Sequence, residues 1–430
     1  MKITLKTLII SIAKSIDLYN YLLKNHHRRV TIAAYHIGMA MGLSQASISD
    51  LVIAASLHDI GALTVEERDQ LIKMDVENPQ PHCTMGSFML EAFEPYEKVS
   101  NIVYYHHWRY DNANQWNPDK GFVPIEAFIL HLADRVEILL DSNIPVLEQS
   151  QGIRKTIAAN GGALFHPKVV EAFLNASIMD TFWLDIENLE LVEVLDLGID
   201  PNFEFYMGLD LIEKFSLTLS KIIDMRSEFI TGHSTGVSLV AYHIGKLMGY
   251  DEDKCRKLKI AGLLHDVGKI AIPKSLIEKE EPLTAEERTS MRSHAYFTAL
   301  ILRHIPGFEE IERWASGHHE NHDGSGYPDH LSENRITEEM DILAYADLYT
   351  ALSENRPYRD SLSATVILST LKKDFSERHG TKVLEVIENH LSYLDEICKR
   401  AVNDGIEHYR AFEQRMNKEN WDSNEAASTH

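Results

Sequence analysis

The chain has 430 residues, enough for two or three domains with separate cores, and its 44% hydrophobic and 25% charged residues are those of an ordinary globular protein. Its 65 acidic and 42 basic residues give a net charge of −23, which argues against binding polymeric nucleic acid but not against a small phosphate ligand in a local cationic pocket. Cys83, Cys255 and Cys398 are far apart and form no CxxC pair, which predicts a reducing, cytoplasmic setting without disulfides or a thiolate zinc site.

The N-terminus places Lys2 and Lys6 ahead of a short apolar run, a pattern that signal peptides share. Lys14 and Asp17 interrupt this run, and the repeat described next gives the segment a structural role, which we favour. No stretch of the sequence approaches the ~20 apolar residues that a membrane span needs, so no membrane partner is expected.

The second half of the chain repeats the first. The segment AYHIG at 34–38 recurs at 241–245, an offset of 207, and small insertions raise the offset to 212 and then 213. Seven histidine and aspartate positions recur in order, pairing His26 with His233, His58 and Asp59 with His265 and Asp266, His82 with His294, His106 and His107 with His318 and His319, and Asp134 with Asp347. Such self-similarity predicts the duplication of a domain of about 200 residues rather than a solenoid of short repeats.

Both halves are predicted to be helical, which makes the fold class all-α. The segment at 254–270 has apolar residues at helical spacing, and strand-like alternation is scarce. Thr284 and Glu287 form a capping-box pattern that begins a helix, with Thr64 and Glu67 in the matching region of the first half.

A Gly-Ile-Asp-Pro break at 198–201 places the domain boundary near residue 200. The predicted domains are therefore 1–200 and 201–418, the second entered through a helix over 205–226. The polar tail at 419–430 is predicted to be disordered.

The segment HHENHDGSGYP at 318–328 is the most informative part of the sequence, because two adjacent histidines run directly into a glycine-rich turn. An isolated His-Asp pair is weak evidence, since such pairs are frequent by chance. An ordered set of this size can form a dinuclear metal site, because imidazoles can hold each ion and one carboxylate can bridge them. The set consists of His233, His265, Asp266, His294, His318, His319 and Asp347.

This set, its spacing and the Gly-Tyr-Pro turn resemble the HD-GYP family of metal-dependent phosphodiesterases, which hydrolyse cyclic dinucleotides. The resemblance is strongest over 226–360 and weaker over 1–175, and it implies two HD-type helical domains in tandem. It implies that Asp266 bridges two divalent ions. It also implies that His233, His265 and Asp347 complete one coordination sphere and that His294, His318 and His319 complete the other.

The family implies that the two ions are iron or manganese, although nitrogen and oxygen donors agree with zinc as well. Some family members carry a glutamate four residues before the first histidine, which supplies a third metal. Here that position is Phe229, and the adjacent Glu228 would point about 100° away on a helix. We therefore predict two metals.

Asp266 and Lys269 are the predicted catalytic residues. Two ions can lower the pKa of a bridging water and stabilise both the attacking and the leaving oxygen of a phosphodiester. On a helix, Lys269 would lie on the same side as His265, four residues earlier, and would balance charge on the phosphoryl oxygens. The alternative for Lys269 is a solvated lysine.

Predicted substrate contacts are Lys269, Tyr327, Arg356 and Arg359. Arginine forks suit phosphate or guanine, while their alternative role is surface solubility. Tyr327 is expected to stack on or donate to the ligand, or only to stiffen the turn. Asp323 and Glu320 are weaker candidates for orienting the histidines.

The first half keeps all seven metal-type residues, namely His26, His58, Asp59, His82, His106, His107 and Asp134. Whether this half binds further metal ions stays open. Its surroundings differ, because Ala62 replaces Lys269 and the Gly-Tyr-Pro turn is lost, although Asp111 matches Asp323. Asn143 and Val146 stand where the second half has the two arginines, yet the segment at 161–167 resembles one that follows the HD-GYP core. This diverged copy is a structural or regulatory partner, a phosphomonoesterase acting on the linear product, or a cyclic-dinucleotide sensor.

The resemblance implies a phosphodiesterase that opens cyclic di-GMP or 3′,3′-cyclic GMP-AMP to the linear dinucleotide at the second site. A catalytically silent scaffold is the alternative from another class, and a generic nucleotide phosphohydrolase is disfavoured by the Gly-Tyr-Pro turn. Among partners, a homodimer stays open.

Overall fold

The computed structural model describes residues 3–4, 9–10, 13, 25–62, 71, 73–76, 78–91, 97–112, 122–199, 206–224, 232–279, 281–355 and 359–428. The chain divides into two compact units, one of Thr4–Tyr206 and one of Met207–His430 with Met1–Ile3. Among the helices described, none offers the unbroken apolar length that a bilayer crossing requires.

The first unit is built from helices. In chain order these are α1 (His26–Ala40), α2 (Gln45–Leu57), α3 (Gln80–Glu91), α4 (Glu97–Tyr104), α5 (Ile125–Ile138), α6 (Val146–Ala159), α7 (Pro167–Ala176), α8 (Asp180–Asn188) and α9 (Leu191–Gly198). Short 3-10 turns lie at His58–Gly61 and Tyr110–Asn112. Helix α1 packs against α2 and α5, and α3 packs against α4.

The second unit has the same helical character. Its helices are α10 (Leu209–Asp224), α11 (His233–Leu247), α12 (Glu252–Leu264), α13 (Lys274–Ile277), α14 (Ala285–Leu302), α15 (Glu309–Ser316), α16 (Glu338–Ser353), α17 (Ala364–Thr370), α18 (Thr381–Asn389) and α19 (Leu391–Ser428). A π-helical turn spans Leu371–Phe375, and 3-10 turns lie at Val267–Ala271 and Glu333–Arg335. Helix α11 packs against α12, α16 and α19.

The predicted all-α class is confirmed. Within the described residues, the sheet structure is limited to two-residue strands, β1 (Ile3–Thr4) and β2 (Tyr206–Met207), which pair with one another. The helices bury aliphatic faces, and each central helix carries fully buried residues, such as Val30 and Ile37 in α1 and Val237 and Ile244 in α11. Removing this apolar surface from water is the main stabilising contribution to each unit.

In both copies, equivalent positions of the repeat begin and end the helix that precedes the His-Asp pair. Ser44 caps α2 and Asp251 caps α12, each accepting a hydrogen bond from the backbone N–H three residues later. Both helices end one residue before the histidine. The aspartates then leave helical geometry, with φ −92° at Asp59 and φ −100° at Asp266, and the chain continues as a 3-10 turn. The prediction of one continuous helix over 254–270 is therefore wrong, because a backbone kink at Asp266 separates α12 from the turn.

The glycine that follows each His-Asp pair is required by close backbone contact. A Cβ atom on Gly268 would lie 2.0 Å from the carbonyl oxygen of His294, and one on Gly61 would lie 2.1 Å from the carbonyl oxygen of His82. No real Cβ tolerates such distances, so only glycine lets the 3-10 turn lie against the helix that carries the next histidine. In the second unit the Thr298 hydroxyl joins the two elements, accepting from the Gly268 N–H and donating to the His265 carbonyl.

Two further predictions concern helix ends. The capping box at Thr284 and Glu287 is confirmed at the start of α14, while Thr64 and Glu67 lie outside the described residues. The structure continues α19 through Ser428, where the sequence predicted a disordered tail. Residues 406–428 contain neither glycine nor proline, so nothing in the local sequence interrupts the helix.

Candidate metal centres

The second unit gathers the predicted ligands from five places in the fold. His233 begins α11, His265 directly follows α12, His294 lies in α14, His318 and His319 follow α15, and Asp347 lies in α16. Their donor atoms form compact groups in which all atoms lie within 4.8 Å of one another. The groups are His233 with His265 and Asp347, His265 with Asp266 and His318, and His294 with His318 and His319.

Asp266 lies between these groups. One carboxylate oxygen, Oδ2, is 3.1 Å from His265 Nε2, and the other, Oδ1, is 3.4 Å from His294 Nε2. Burial opposes ionisation of this carboxyl, but His265 and Lys269 outweigh it and hold its pKa well below its usual range. An ionised carboxylate with its oxygens directed to opposite sides has the form that a bridge between two cations requires.

The histidines of this cluster are held in the tautomer that binds metal. Nδ1 donates to the backbone carbonyl three residues earlier in His265 (2.8 Å), His294 (2.7 Å) and His318 (2.6 Å). That bond directs the Nε2 lone pair inward, and all three buried Nε2 atoms have no hydrogen-bond partner in the described structure. Burial and neighbouring His265 lower the pKa of His318 to about 3, which keeps it neutral. A divalent metal fits this donor set, because it would satisfy the buried nitrogens together.

His233 has a different partner. Its Nδ1 lies 3.2 Å from both carboxylate oxygens of Glu354, while its Nε2 is 3.2 Å from Asp347 Oδ1. Burial lowers the pKa of His233, but Glu354 and Asp347 outweigh it and raise this pKa to about 10. Sequence analysis missed Glu354, although it lies seven residues after Asp347 and therefore two helical turns further along the same face.

Lys269 also faces the cluster, by a route that differs from the prediction. Its ammonium group donates to Asp266 Oδ2 from within the 3-10 turn, not from a continuous α-helix shared with His265. The cation therefore lies against the proposed bridging carboxylate. Its side chain is about one-fifth exposed, so it can also face a ligand.

The Gly-Tyr-Pro turn closes back on the histidines. The Tyr327 N–H donates to the His319 carbonyl at 3.1 Å, and the two rings lie 4.7 Å apart. The Arg292 guanidinium lies 4.6 Å from the centre of the Tyr327 ring. Sequence analysis missed Arg292, which the repeat could have revealed, because the first copy has Gln80 at this position.

Glu320 and Asp323 support this turn rather than the histidine rings. Buried Glu320 accepts backbone N–H groups from Asp329 (2.7 Å) and Leu331 (2.8 Å). Asp323 accepts from the backbone and the hydroxyl of Ser325. These hydrogen bonds of both carboxylates fix the loop backbone, which differs from the predicted role of orienting imidazoles.

The arginines that follow α16 have separate outcomes. Arg356 lies outside the described residues, as do Phe229 and Glu228, so the predictions about phosphate contact and a third metal are not addressed there. The Arg359 guanidinium donates to the backbone carbonyls of Ala351, Leu352 and Asp360. The bonds to Ala351 and Leu352 reach carbonyls in the last turn of α16, which gives Arg359 a structural role; its substrate contact stays a prediction.

The first unit assembles a related cluster, and all seven of its predicted residues are buried. The His58 and His106 Nδ1 atoms donate to the carbonyls of Ala55 and Val103, three residues earlier, as in the second unit. Asp59 Oδ1 lies 3.7 Å from His82 Nε2 and 3.6 Å from His106 Nε2. Two compact groups result, Asp59 with His82, His106 and His107, and His26 with His58 and Asp59.

Buried ionisable residues that the sequence analysis missed surround this first cluster. The buried thiol of Cys83 lies 3.6 Å from His82 Nε2 and 3.5 Å from His106 Nδ1, at the position of Ala295. Burial raises the pKa of this thiol, but the two histidines outweigh it and lower the pKa to about 6. His131, Arg135 and Glu137 are also buried, and the second copy has Ala344, Leu348 and Thr350 at their positions.

Models of the HD domain match this chain twice, over residues 23–139 and over residues 218–383. The chain is therefore a tandem HD-domain protein, with candidate metal clusters in both domains. A solved cyclic GMP-AMP specific phosphodiesterase of Vibrio cholerae shares the fold, with a TM-score of 0.62 and 20% identity over 91% of this chain and 98% of that one.

Curated relatives agree with this assignment. The 3′3′-cGAMP-specific phosphodiesterase 1 of Vibrio cholerae is 27% identical over 90% of this chain and 91% of its own. A cyclic di-GMP phosphodiesterase of Thermotoga maritima is 28% identical over 67% of this chain and 89% of its own. The resemblance to HD-GYP phosphodiesterases that the sequence indicated is confirmed, with a diverged copy of the domain in the first half.

Proposed function

We propose that the second HD domain is a metal-dependent phosphodiesterase that opens a cyclic dinucleotide to its linear form. The observation that carries this proposal is the convergence of three orphaned, buried imidazole nitrogens around the ionised Asp266, with Lys269 against the same carboxylate. The named activities of the relatives, which include both 3′3′-cGAMP and cyclic di-GMP phosphodiesterases, support the choice of substrate class.

His233, His265 and Asp347 would hold one divalent ion, and His294, His318 and His319 the other. Bound ions would lower the pKa of a water molecule and offset charge on a phosphodiester. Asp266 would contact both ions and hold them next to each other. Lys269, already paired with Asp266, would donate to a phosphoryl oxygen as negative charge develops there.

The turn at 324–328 would form one wall of the substrate pocket. The Tyr327 ring lies beside His319, and the Arg292 guanidinium adds a cation over the Tyr327 ring. Aromatic and guanidinium planes stack on nucleobases with little preference for sequence. This wall therefore fits a nucleotide without selecting guanine over adenine, so both cyclic di-GMP and 3′,3′-cyclic GMP-AMP are tested.

A product time course tests the proposal. The full-length protein, loaded with Mn²⁺ or Fe²⁺, is incubated with each cyclic dinucleotide, and the products are separated by chromatography. We expect turnover to the linear dinucleotide that falls by at least about a thousandfold in the His265→Ala, Asp266→Ala variant. No turnover of either substrate by metal-loaded wild type would remove the phosphodiesterase and leave the silent scaffold.

The repeat supplies a matched control. The His58→Ala, Asp59→Ala variant makes the same change in the first copy and is expected to keep the cyclic-dinucleotide activity. If that variant alone stops a second product from appearing after the linear dinucleotide, the first copy would be the phosphomonoesterase. A cytoplasmic location and a homodimer remain predictions, which fractionation and light scattering address.

A further inference from the structure

Three ionisable side chains of the second domain meet outside the seven ligand positions. The buried Asp341 carboxylate on α16 lies between two histidines, with His322 Nε2 3.1 Å from both of its oxygens and His379 Nδ1 3.2 Å from Oδ1. A carboxylate only accepts hydrogen bonds, so both ring nitrogens donate to it. These three residues do not form one of the compact metal-type groups of the described structure, so the carboxylate itself joins the two imidazoles. We call them the Asp341 clamp.

One side of the Asp341 clamp is fixed by packing. The buried His379 ring stacks on Phe375, with centroids 3.9 Å apart and an angle of 23° between the planes. Phe375 ends the π-helical turn at Leu371–Phe375. A Cβ atom on Gly380 would lie 2.7 Å from Asp341 Oδ2, so the glycine leaves the space that the carboxylate occupies. The positions of Asp341 and His379 are therefore set by their surroundings.

The other side of the Asp341 clamp is the neck of the loop that carries the Gly-Tyr-Pro turn. The His322 N–H donates to the Arg378 carbonyl at 2.9 Å, and the His322 carbonyl accepts from the Glu333 N–H at 3.1 Å. The chain from His322 to Glu333 is thus closed on itself, and the turn at 324–328 lies within it. The His322 ring then ties this neck to Asp341.

The first copy makes the same backbone connection. Helices α7 and α18 begin at an offset of 214, which aligns this part of the repeat. Tyr110 takes the position of His322, and its N–H donates at 3.2 Å to Leu164, which takes the position of Arg378. The backbone bond therefore does not explain the polar side chains of the second copy.

The side chains at this point differ between the copies. Phe128 takes the position of Asp341, and His166 takes the position of Gly380. The rings of Tyr110, Phe128 and His166 pack together, with centroids 4.8–6.1 Å apart. The first copy thus closes this point by aromatic contact, and the polar clamp occurs in the copy that has the Gly-Tyr-Pro turn.

We infer that the Asp341 clamp holds the neck of the loop and thereby fixes the turn at 324–328, which makes Asp341 a positioning residue for the cyclic-dinucleotide reaction. Asp341 acts through His322 rather than on the substrate. Opening the neck would release Tyr327 from its place in the pocket wall and weaken substrate binding, while the metal ligands stay in place. The inference rests on the proposed function for what the turn contacts, but not for how the turn is held.

Hydrogen–deuterium exchange tests how the turn is held, in the full-length protein loaded with Mn²⁺. We expect His322→Ala and Asp341→Ala to speed amide exchange over 322–333 by at least about tenfold, because the opened neck exposes its N–H groups to water. Asp185→Ala is the control, since it removes a His-Asp pair of 2.9 Å in the first domain and should leave this exchange unchanged. Unchanged exchange in His322→Ala would overturn the inference. The His322 side chain is 24% exposed, so this variant gives the answer even where Asp341→Ala fails to fold.

Kinetics and rescue separate positioning from general destabilisation. His322→Ala is expected to raise KM for the cyclic dinucleotide about tenfold, because a base loses its stacking surface, with kcat within about threefold and full metal content. His322→Gln should restore most of KM, because its amide nitrogen can donate to Asp341 in place of the ring nitrogen. Equal KM in the two variants, or loss of metal in His322→Ala, would contradict a positioning role. No turnover by metal-loaded wild type would remove the proposed function, while the exchange result would still decide whether the clamp holds the loop.

Discussion

The two HD domains keep one histidine frame and place different charges around it. In the second domain the nearby cation is Lys269, which contacts Asp266 between the two ligand groups. In the first domain the cation is Arg135, which contacts Asp134 at the edge. One positive charge therefore lies against the proposed bridging carboxylate in the second domain and against the terminal carboxylate in the first. A duplicated frame can therefore keep every ligand-type residue while the charges around it change.

The frame itself depends on backbone devices that both copies share. Each His-Asp pair follows a helix end, and each ligand histidine that ends a helix donates Nδ1 to the carbonyl three residues earlier. A glycine then permits the contact with the next ligand helix. These devices are independent of the surrounding charges, so the charges were free to diverge.

The largest expected effect comes from the cation unique to the second domain. We expect Lys269→Ala to lower kcat for the cyclic dinucleotide by about 10²–10³-fold, because a donor to developing phosphoryl charge is lost. Steady-state kinetics measure it, with Lys274→Ala, an exposed lysine paired with Glu278, as the control. A change below threefold in Lys269→Ala would remove Lys269 from the chemistry.

The next effect tests the shared glycine contact. Gly268→Ala is expected to lower the free energy of unfolding by about 1–3 kcal/mol, because its Cβ would overlap the His294 carbonyl. Gly61→Ala should give a similar loss in the first domain. Thermal or denaturant unfolding measures both, and Gly208→Ala, whose Cβ meets nothing within 4 Å, is the control. Equal stability of Gly268→Ala and Gly208→Ala would show that the close contact is absent.

Metal affinity of the second domain should rise with pH. Glu354 and Asp347 raise the pKa of His233 to about 10 in the metal-free protein, although burial opposes this, so His233 carries a proton at neutral pH that the metal must displace. Below that pKa, affinity should therefore increase by up to about tenfold per pH unit. Isothermal titration between pH 6.5 and 8.5 measures this, and Glu354→Gln should flatten the slope. A slope that Glu354→Gln leaves unchanged would contradict the assignment.

The smallest expected effect concerns the pocket wall. Arg292→Gln, which installs the residue of the first copy, should raise KM for the cyclic dinucleotide about fivefold while kcat stays within about twofold, since an exposed cation–π contact contributes roughly 1 kcal/mol. Arg303→Gln removes a similar contact with Tyr296 at the C-terminal end of α14 and should leave KM unchanged. If both variants behave alike, Arg292 has no specific role.

Sequence alone predicted the helical class and the set of residues that the fold gathers. The repeat made the second prediction possible, because histidines that occur by chance would not recur at matching positions of both halves. Sequence analysis missed the kink at Asp266, since apolar periodicity continues across the turn and conceals the end of α12. It did not predict that Arg359 bonds backbone carbonyls at the end of α16, because those contacts are visible only in three dimensions. Arg135 could have been noticed in the sequence, because it is a charged residue in an apolar segment where the second copy has Leu348. Its role became clear only from the contact with Asp134.

The Thr298 hydroxyl that joins Gly268 to His265 has an evolutionary consequence. The first copy has Gly86 at this position, and its own turn approaches the helix backbone closely, because a Cβ atom on Gly61 would lie 2.4 Å from the Gly86 nitrogen. One contact thus has two solutions, a hydroxyl bridge and a pair of glycines. Changing Thr298 alone would leave the Gly268 N–H without its acceptor. The two positions should therefore show epistasis, so that exchange between the copies is tolerated only when the turn and the helix are transplanted together.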